Sequence, residues 1–118
     1  MALVEITRPL FDVDISIAYA TAQNFTGAPV YARAGCYLHT DAAAALTEAI
    51  RLAGAMGYRF RVFDAFRPTE AQWALWNHTP DPDFLADPRR GSPHSRGVAV
   101  DLTLIDETGT ALGMGTAF

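Results

Sequence analysis

The chain of 118 residues has the length of one domain, and half of its residues are apolar, which suffices for a hydrophobic core and excludes general disorder. Its net charge of −4 argues against nucleic acid as a partner, because nucleic-acid-binding surfaces are basic. A single cysteine, Cys36, excludes an internal disulfide, and neither a secretion signal nor an apolar run of membrane-spanning length is apparent, so the sequence predicts a cytoplasmic protein without a membrane partner.

The first half of the chain predicts a strand, a loop and a helix. Apolar and polar residues alternate from Phe11 to Tyr19, which is the period-two pattern of a half-buried strand. Glycine and proline in residues 24–29 indicate a loop. The alanine-rich stretch over residues 40–56 predicts a helix that Thr40 or Asp41 caps, since hydroxyl and carboxylate oxygens accept hydrogen bonds from the first free backbone N–H groups.

The second half adds two strands and a short helix. Aromatic and β-branched residues predict a strand from Tyr58 to Asp64, followed by a helix from Thr69 to Trp76. Residues 77–93 hold four prolines and form a long predicted loop. A further strand is expected from Val98 to Leu104. This order predicts an α+β domain with a small, mostly antiparallel sheet and flanking helices.

A carboxylate in the last predicted strand stands out chemically. The even-numbered residues from Val98 to Leu104 are apolar and are expected to face the core, whereas Asp101 lies on the opposite face. A buried carboxylate needs a cation or hydrogen-bond donors, and the flexible backbone of Gly97 could bring His94 towards it. Imidazole and carboxylate are suitable zinc ligands, but the spacing alone equally allows His94 and Asp101 to pair with each other or with an arginine.

The segment from Ser92 to Asp101 reads Ser-Pro-His-Ser-Arg-Gly-Val-Ala-Val-Asp. It resembles the motif Ser-x-His-x-x-Gly-x-Ala-x-Asp of the D-alanyl-D-alanine dipeptidases of the vancomycin-resistance type. Residues 17–27, residues 64–68 (Asp-Ala-Phe-Arg-Pro) and residues 113–118 (Gly-Met-Gly-Thr-Ala-Phe) resemble the same family in the same order. The resemblance covers nearly the whole chain and implies the scaffold that these peptidases share with hedgehog domains.

This resemblance implies a zinc-dependent peptidase that hydrolyses the dipeptide D-Ala-D-Ala to two D-alanine molecules in cell-wall metabolism. His94 and Asp101 are then the zinc ligands. Arg67 is expected to stabilise the oxyanion of the tetrahedral intermediate, and Tyr19 and Ser92 to line the pocket for the dipeptide. The expected partner is this small D,D-dipeptide, and the sequence leaves self-association as a homodimer open.

Several alternatives remain at this stage. Arg67 could simply pair with Asp64 or Glu70, and Tyr19 could be a core ring whose hydroxyl contacts water. At the level of function, the alternatives are a D,D- or L,D-carboxypeptidase acting on peptidoglycan stem peptides and a non-catalytic zinc-binding module. A soluble α+β domain with a metal-free histidine–aspartate pair is the simplest alternative.

The family pattern also includes a later Glu-x-x-His segment that supplies the catalytic base and the third zinc ligand, and the 118 residues do not contain it. His39 and His78 are expected to have capping and surface roles. Residues 1–118 are therefore expected to form the N-terminal portion of a single zinc D,D-dipeptidase catalytic domain. That portion is expected to need the Glu-x-x-His segment for tight zinc binding and activity.

Overall fold

A computed structural model describes residues 2–112, so the similarity noted for residues 113–118 lies outside the described residues. The regular elements, in chain order, are β1 (Leu3–Glu5), β2 (Val13–Ile15), β3 (Tyr37–His39), α1 (Thr40–Ala55), β4 (Arg59–Asp64), α2 (Thr69–His78) and β5 (Asp101–Ile105). Short 3₁₀ turns lie at Ala18–Ala20 and Pro88–Arg90. Within residues 2–112, no helix is both long and apolar enough to cross a bilayer.

The strands form two small sheets. β1 pairs antiparallel with β3 in a two-stranded sheet. In the three-stranded sheet, β4 is central: it runs parallel to β2 and antiparallel to β5. Two of these three pairings are antiparallel, which agrees with the predicted α+β class. The sequence did not predict β1 and β3, because three-residue strands carry too little periodicity to be recognised.

Helix α1 covers nearly the whole predicted range, but its cap differs from the expectation. The helix begins at Thr40, and the residue before it, His39, provides the cap: its Nδ1 accepts a hydrogen bond from the backbone N–H of Asp41 at 3.2 Å. Thr40 and Asp41 already lie inside the helix, so neither is the cap. β3 thus passes directly into α1, and the helix packs Ala43, Leu46 and Ala53 into the core.

The other predicted boundaries shift by a few residues. The strand expected over Phe11–Tyr19 is limited to β2, and Tyr19 lies in a 3₁₀ turn instead. α2 extends two residues beyond the prediction, to His78. The long proline-containing loop is present, and Asp87 caps its 3₁₀ turn by accepting from the N–H of Arg89 at 3.0 Å.

The last strand begins at Asp101 rather than at Val98, and this alters which residues are buried. Backbone hydrogen bonds from Gly97 to His94 and from Val98 to Pro93 make a turn, so the alternation does not extend back to Val98. Val98 is 49% exposed, whereas Ile105, on the Asp101 face, is 1% exposed. The expectation that the even-numbered residues alone face the core is therefore wrong.

Gly97 fixes this turn against the β3–α1 junction. Its φ of +74° is a conformation that glycine adopts without strain, and its carbonyl accepts from the N–H of His39 at 2.8 Å. A Cβ at this position would lie 3.0 Å from the same nitrogen. Only glycine fits both the dihedral angle and the close contact, so the turn that carries His94 is held at a defined distance from the rest of the fold.

Candidate active site

The turn before β5 and the segment after β4 meet through backbone and side-chain hydrogen bonds. The N–H of Arg67 donates to the carbonyl of His94 at 2.9 Å. The Nδ1 atom of His94 lies 2.8 Å from the carbonyl oxygen of Ala65, which can only accept, so Nδ1 carries the proton. Nε2 therefore faces the opposite way, towards Asp101, where it lies 3.4 Å from Oδ1.

This pair of atoms needs a positive species between them. With Nδ1 protonated, a neutral His94 presents a lone pair at Nε2 to a carboxylate oxygen of Asp101, and two acceptors repel. Burial lowers the pKa of His94, but the hydrogen bonds to Asp101 and to the Ala65 carbonyl raise it, and the net pKa lies above the usual value. Either a proton or a metal cation therefore satisfies the pair.

The separation fits a metal ion. Two atoms bound about 2.0 to 2.1 Å from a tetrahedral zinc ion are about 3.4 Å apart, which is the distance between His94 Nε2 and Asp101 Oδ1. The bond from Nδ1 to a backbone carbonyl is also the usual way in which a metal-binding histidine is oriented. The Asp101 side chain is 36% exposed, so an ion can reach the pair from solvent.

Arg67 lies in a buried ionic network beside this pair. Asp64, fully buried, accepts from Arg67 Nε at 3.1 Å and from Nη2 at 2.8 Å, both on Oδ2. Its Oδ1 accepts from the hydroxyl of Tyr31 at 2.6 Å. Burial raises the pKa of Asp64, while Arg67 and Tyr31 act to lower it. The alternative in which Arg67 pairs with Asp64 is therefore what the structure contains.

Pairing with Asp64 does not turn Arg67 away from the cleft. Its Nη2 lies 3.7 Å from Asp101 Oδ2, and its Cζ lies 5.2 Å from the centre of the Tyr19 ring. A guanidinium has five N–H donors, so one edge can bind Asp64 while other donors point elsewhere. Arg67, His94 and Asp101 consequently line one cleft of about 1080 Å³.

Asp64, His94 and Asp101 form a group of three possible metal ligands, with ligand atoms within 4.8 Å of one another. We assign Asp64 to Arg67 rather than to the metal. Its Oδ2 lies 4.0 Å from Nδ1 of His94, on the side of the ring that the Ala65 carbonyl occupies, and both its oxygens accept hydrogen bonds. Residues 2–112 thus offer two well-placed ligands, His94 and Asp101.

The other histidines have separate contacts. His39 caps α1, as described above. His78, at the end of α2, lies edge-on to the ring of Phe25 with ring centres 5.6 Å apart, and its Nδ1 lies 2.9 Å from the hydroxyl of Thr79. These placements agree with the capping and surface roles expected from the sequence.

Tyr19 and Ser92 both line the cleft and both are buried. Burial raises the pKa of the Tyr19 phenol to about 12, so it stays protonated at neutral pH. The hydroxyl oxygen of Ser92 accepts from the N–H of His94 at 3.2 Å, which steadies the turn and leaves the hydroxyl proton as a donor. Tyr19 therefore combines a core position with one wall of the cleft.

Two members of the buried network were not identified from the sequence. Tyr31 and Gln72 are ordinary residues in their local segments, and nothing in spacing or composition marks them. Each contacts the Arg67 network only through the folded structure, Tyr31 across 33 positions to Asp64 and Gln72 from the first turns of α2.

Comparison with known proteins identifies the family of the chain. The D-ala-D-ala dipeptidase family matches over residues 1–118. The chain belongs to this family. It is 45% identical over 116 residues to the D-alanyl-D-alanine dipeptidase of Escherichia coli (strain K12), an alignment that covers 98% of the chain and 60% of that protein.

Two enterococcal members of the dipeptidase family are more distant. The D-alanyl-D-alanine dipeptidases of Enterococcus faecium and Enterococcus faecalis (strain ATCC 700802 / V583) are 35% and 34% identical over 124 and 121 residues. Each alignment covers 85% of this chain and 60% of the relative. The family resemblance seen in the sequence is thereby confirmed, and the chain spans about 60% of the length of these relatives.

Proposed function

We propose that this chain forms the greater part of a zinc-dependent enzyme that hydrolyses D-Ala-D-Ala to two molecules of D-alanine. The observation that carries the proposal is the pair formed by Nε2 of His94 and Oδ1 of Asp101, 3.4 Å apart, in a cleft that also holds the Arg67 guanidinium. The names of the relatives in three bacteria support the substrate, since all three are D-alanyl-D-alanine dipeptidases.

In this proposal His94 and Asp101 hold the zinc ion. When bound, zinc lowers the pKa of a coordinated water to about 7 and so supplies a nucleophile at neutral pH. A catalytic zinc site normally has three protein ligands and one open position. We therefore assign the third ligand and the general base to a Glu-x-x-His segment outside these residues, and treat residues 1–118 as the N-terminal portion of one catalytic domain.

Arg67 is the group that faces the developing charge on the substrate. Three of its five N–H donors bind Asp64 and Gln72, which leaves two for the carbonyl oxygen of the scissile peptide. Because Asp64 and Gln72 together hold the guanidinium before substrate arrives, little reorganisation is needed when the oxyanion forms. Fixed donors of this kind contribute about 10²- to 10³-fold in rate each.

Tyr19 and Ser92 are proposed to shape the pocket for the dipeptide. The Tyr19 ring lies beside the guanidinium of Arg67 and closes one side of the cleft, and Ser92 offers its hydroxyl proton near His94. The hedgehog-like arrangement of the complete domain, a role in cell-wall metabolism and a cytoplasmic location belong to the same proposal; the single, buried and unpaired Cys36 suits a reducing compartment.

The test is an assay of D-alanine release with added zinc, on the 118-residue chain and on a version extended through a Glu-x-x-His segment. The extended protein is expected to bind zinc and turn over D-Ala-D-Ala, and the short chain to do neither. Comparable turnover by the short chain would show that the third ligand and base already lie within it. An extended protein that binds zinc but cleaves peptidoglycan stem peptides in preference to the dipeptide would overturn the substrate assignment.

A further inference from the structure

One buried amide touches both the catalytic arginine and the long loop of the cleft. Gln72, in α2, is 1% exposed. Its Oε1 accepts from Nη1 of Arg67 at 2.7 Å, and its Nε2 donates to the carbonyl of Ala86 at 2.7 Å. Arginine can only donate and a carbonyl can only accept, so the two partners fix the orientation of the amide.

We propose that Gln72 is a positioning residue for the dipeptidase reaction, with a separate task for each end of its amide. The oxygen end holds Arg67 in line with the reacting carbonyl. The nitrogen end holds the cleft loop, residues 79–93, against the substrate pocket. The inference rests on the proposed function, because it assigns consequences for the kinetics of that reaction.

Arg67 needs this second contact because of how Asp64 binds it. Both Nε and Nη2 donate to one oxygen, Oδ2, while Oδ1 is taken by Tyr31. A fork with two oxygens would fix the plane of the guanidinium, but a single oxygen leaves it free to pivot. The bond from Nη1 to Gln72 removes this pivot, and it does so without adding a negative charge beside the oxyanion.

The loop end has a comparable structural reason. Phe84, Leu85 and Ala86 line the cleft, and Leu85 is buried against Tyr19 and Leu75. The loop is long, and its backbone around Ala86 is tied to α2 by the amide of Gln72. Losing this bond frees the wall of the pocket without touching Arg67, so it should weaken substrate binding rather than slow the chemical step.

Two substitutions separate the two ends of the amide. Gln72→Met is close in shape and removes both hydrogen bonds, whereas Gln72→Glu keeps an acceptor for Arg67 and loses the donor to Ala86. In the full-length protein with zinc, Gln72→Met is expected to lower kcat about tenfold or more and to raise KM, since small misplacements of a catalytic group are costly. Gln72→Glu is expected to lower kcat clearly less than Gln72→Met does, because it keeps the bond to Arg67 but adds a negative charge, while KM rises as in Gln72→Met.

Leu46→Met in α1 serves as a matched control, because Leu46 is also buried in a helix but belongs to the main core. It should lower the unfolding midpoint without changing kcat or KM. Zinc content should be unchanged in all three variants. The inference is overturned if Gln72→Met keeps wild-type kcat, if Gln72→Glu loses as much kcat as Gln72→Met, or if Leu46→Met loses kcat in proportion to stability.

A measurement that needs no turnover separates this inference from the proposed function. In nitrogen-15 NMR spectra, rotation about the Cζ–Nη1 bond of Arg67 should be slow in the wild type and in Gln72→Glu, and faster in Gln72→Met. Equal rotation rates in wild type and Gln72→Met would refute the role of Gln72 in holding Arg67, whatever the substrate of the enzyme. A wild-type protein with slow rotation, bound zinc and no D-alanine release would refute only the dipeptidase proposal.

Discussion

The cleft has two polar halves that differ in how completely their partners are supplied. In the first half, Asp64 receives three hydrogen bonds, and Arg67 is neutralised by it and further held by Gln72. In the second half, Nε2 of His94 and Oδ1 of Asp101 face each other across 3.4 Å, and Asp101 is partly exposed. A closed, buried ionic network thus stands beside an open pair that a cation would complete.

The difference separates the residues that stabilise the fold from the residues that remain available to bind a ligand. A buried charge without its partner is strongly destabilising, so the first half must form whenever the chain folds. A partly exposed pair adds little to folding, so the second half remains available for a ligand. Substitutions in the two halves should therefore separate stability from metal binding.

The largest effect on stability is expected from Asp64→Asn. This change keeps the shape but leaves the buried guanidinium of Arg67 without its counter-charge, and breaking a buried pair costs about 3 to 5 kcal/mol. Urea unfolding followed by circular dichroism measures the loss. A decrease below about 1 kcal/mol, the size typical of exposed pairs, would contradict the closed character of this half.

Arg67→Ala is expected to lower kcat about 10²- to 10³-fold in the full-length, zinc-bound enzyme, because it removes the proposed donors for the oxyanion. Zinc content should stay at the wild-type value, since the proposed ligands are His94 and Asp101. Arg67→Lys is the matched variant: it keeps a positive charge but cannot bind Asp64 and Gln72 simultaneously in the same planar geometry, so it should restore only part of the rate. An unchanged kcat in Arg67→Ala would exclude an oxyanion role.

Asp101→Asn is expected to weaken zinc binding and to leave the free energy of unfolding nearly unchanged. Zinc affinity is expected to fall by more than about 100-fold, since even changes in the residues that orient metal ligands cost 10- to 100-fold. The zinc-free variant should unfold within about 0.5 kcal/mol of the wild type, because the pair is partly exposed. Competition with a chromophoric chelator gives the affinity. Retained zinc affinity in Asp101→Asn would remove Asp101 from the ligand set.

Tyr31→Phe sharpens the comparison with a smaller effect on the closed half. It removes the 2.6 Å hydrogen bond to Asp64 but keeps the charge pair, and hydrogen bonds to charged groups contribute about 1.5 to 3 kcal/mol. The expected loss lies at or below that of Asp64→Asn, with unchanged zinc affinity. A loss of zinc binding in Tyr31→Phe would show that the two halves are coupled.

Local sequence patterns predicted the elements that are long enough to show a period. Both ends of the alanine-rich helix α1 and of the aromatic, β-branched strand β4 lie within one residue of the predicted ends. The strand that contains Asp101 was placed correctly in outline, but the residues predicted to begin it form a turn that Gly97 permits and that alternation alone does not reveal.

The open half of the cleft was also easier to predict than the closed half. His94, Gly97 and Asp101 lie within eight positions of one another, so their motif is visible in the chain. Tyr31 reaches Asp64 from 33 positions away, Gln72 reaches Arg67 once α2 has formed beside it, and no local pattern marks either contact. Arg67 was named from the sequence, and its pairing with Asp64 was an open alternative, but the contacts of Tyr31 and Gln72 with this network were not predicted.

The spacing of these contacts along the chain has a consequence for how the molecule reaches its native state. Two of the contacts that build the cleft join positions far apart in sequence, 33 residues for Tyr31 and Asp64 and 29 for Ala65 and His94. Contacts of high sequence separation are entropically costly to close and tend to slow folding. During synthesis on the ribosome, the cleft can therefore assemble only after the turn carrying His94 has emerged, well after α1 and β4 have had time to form.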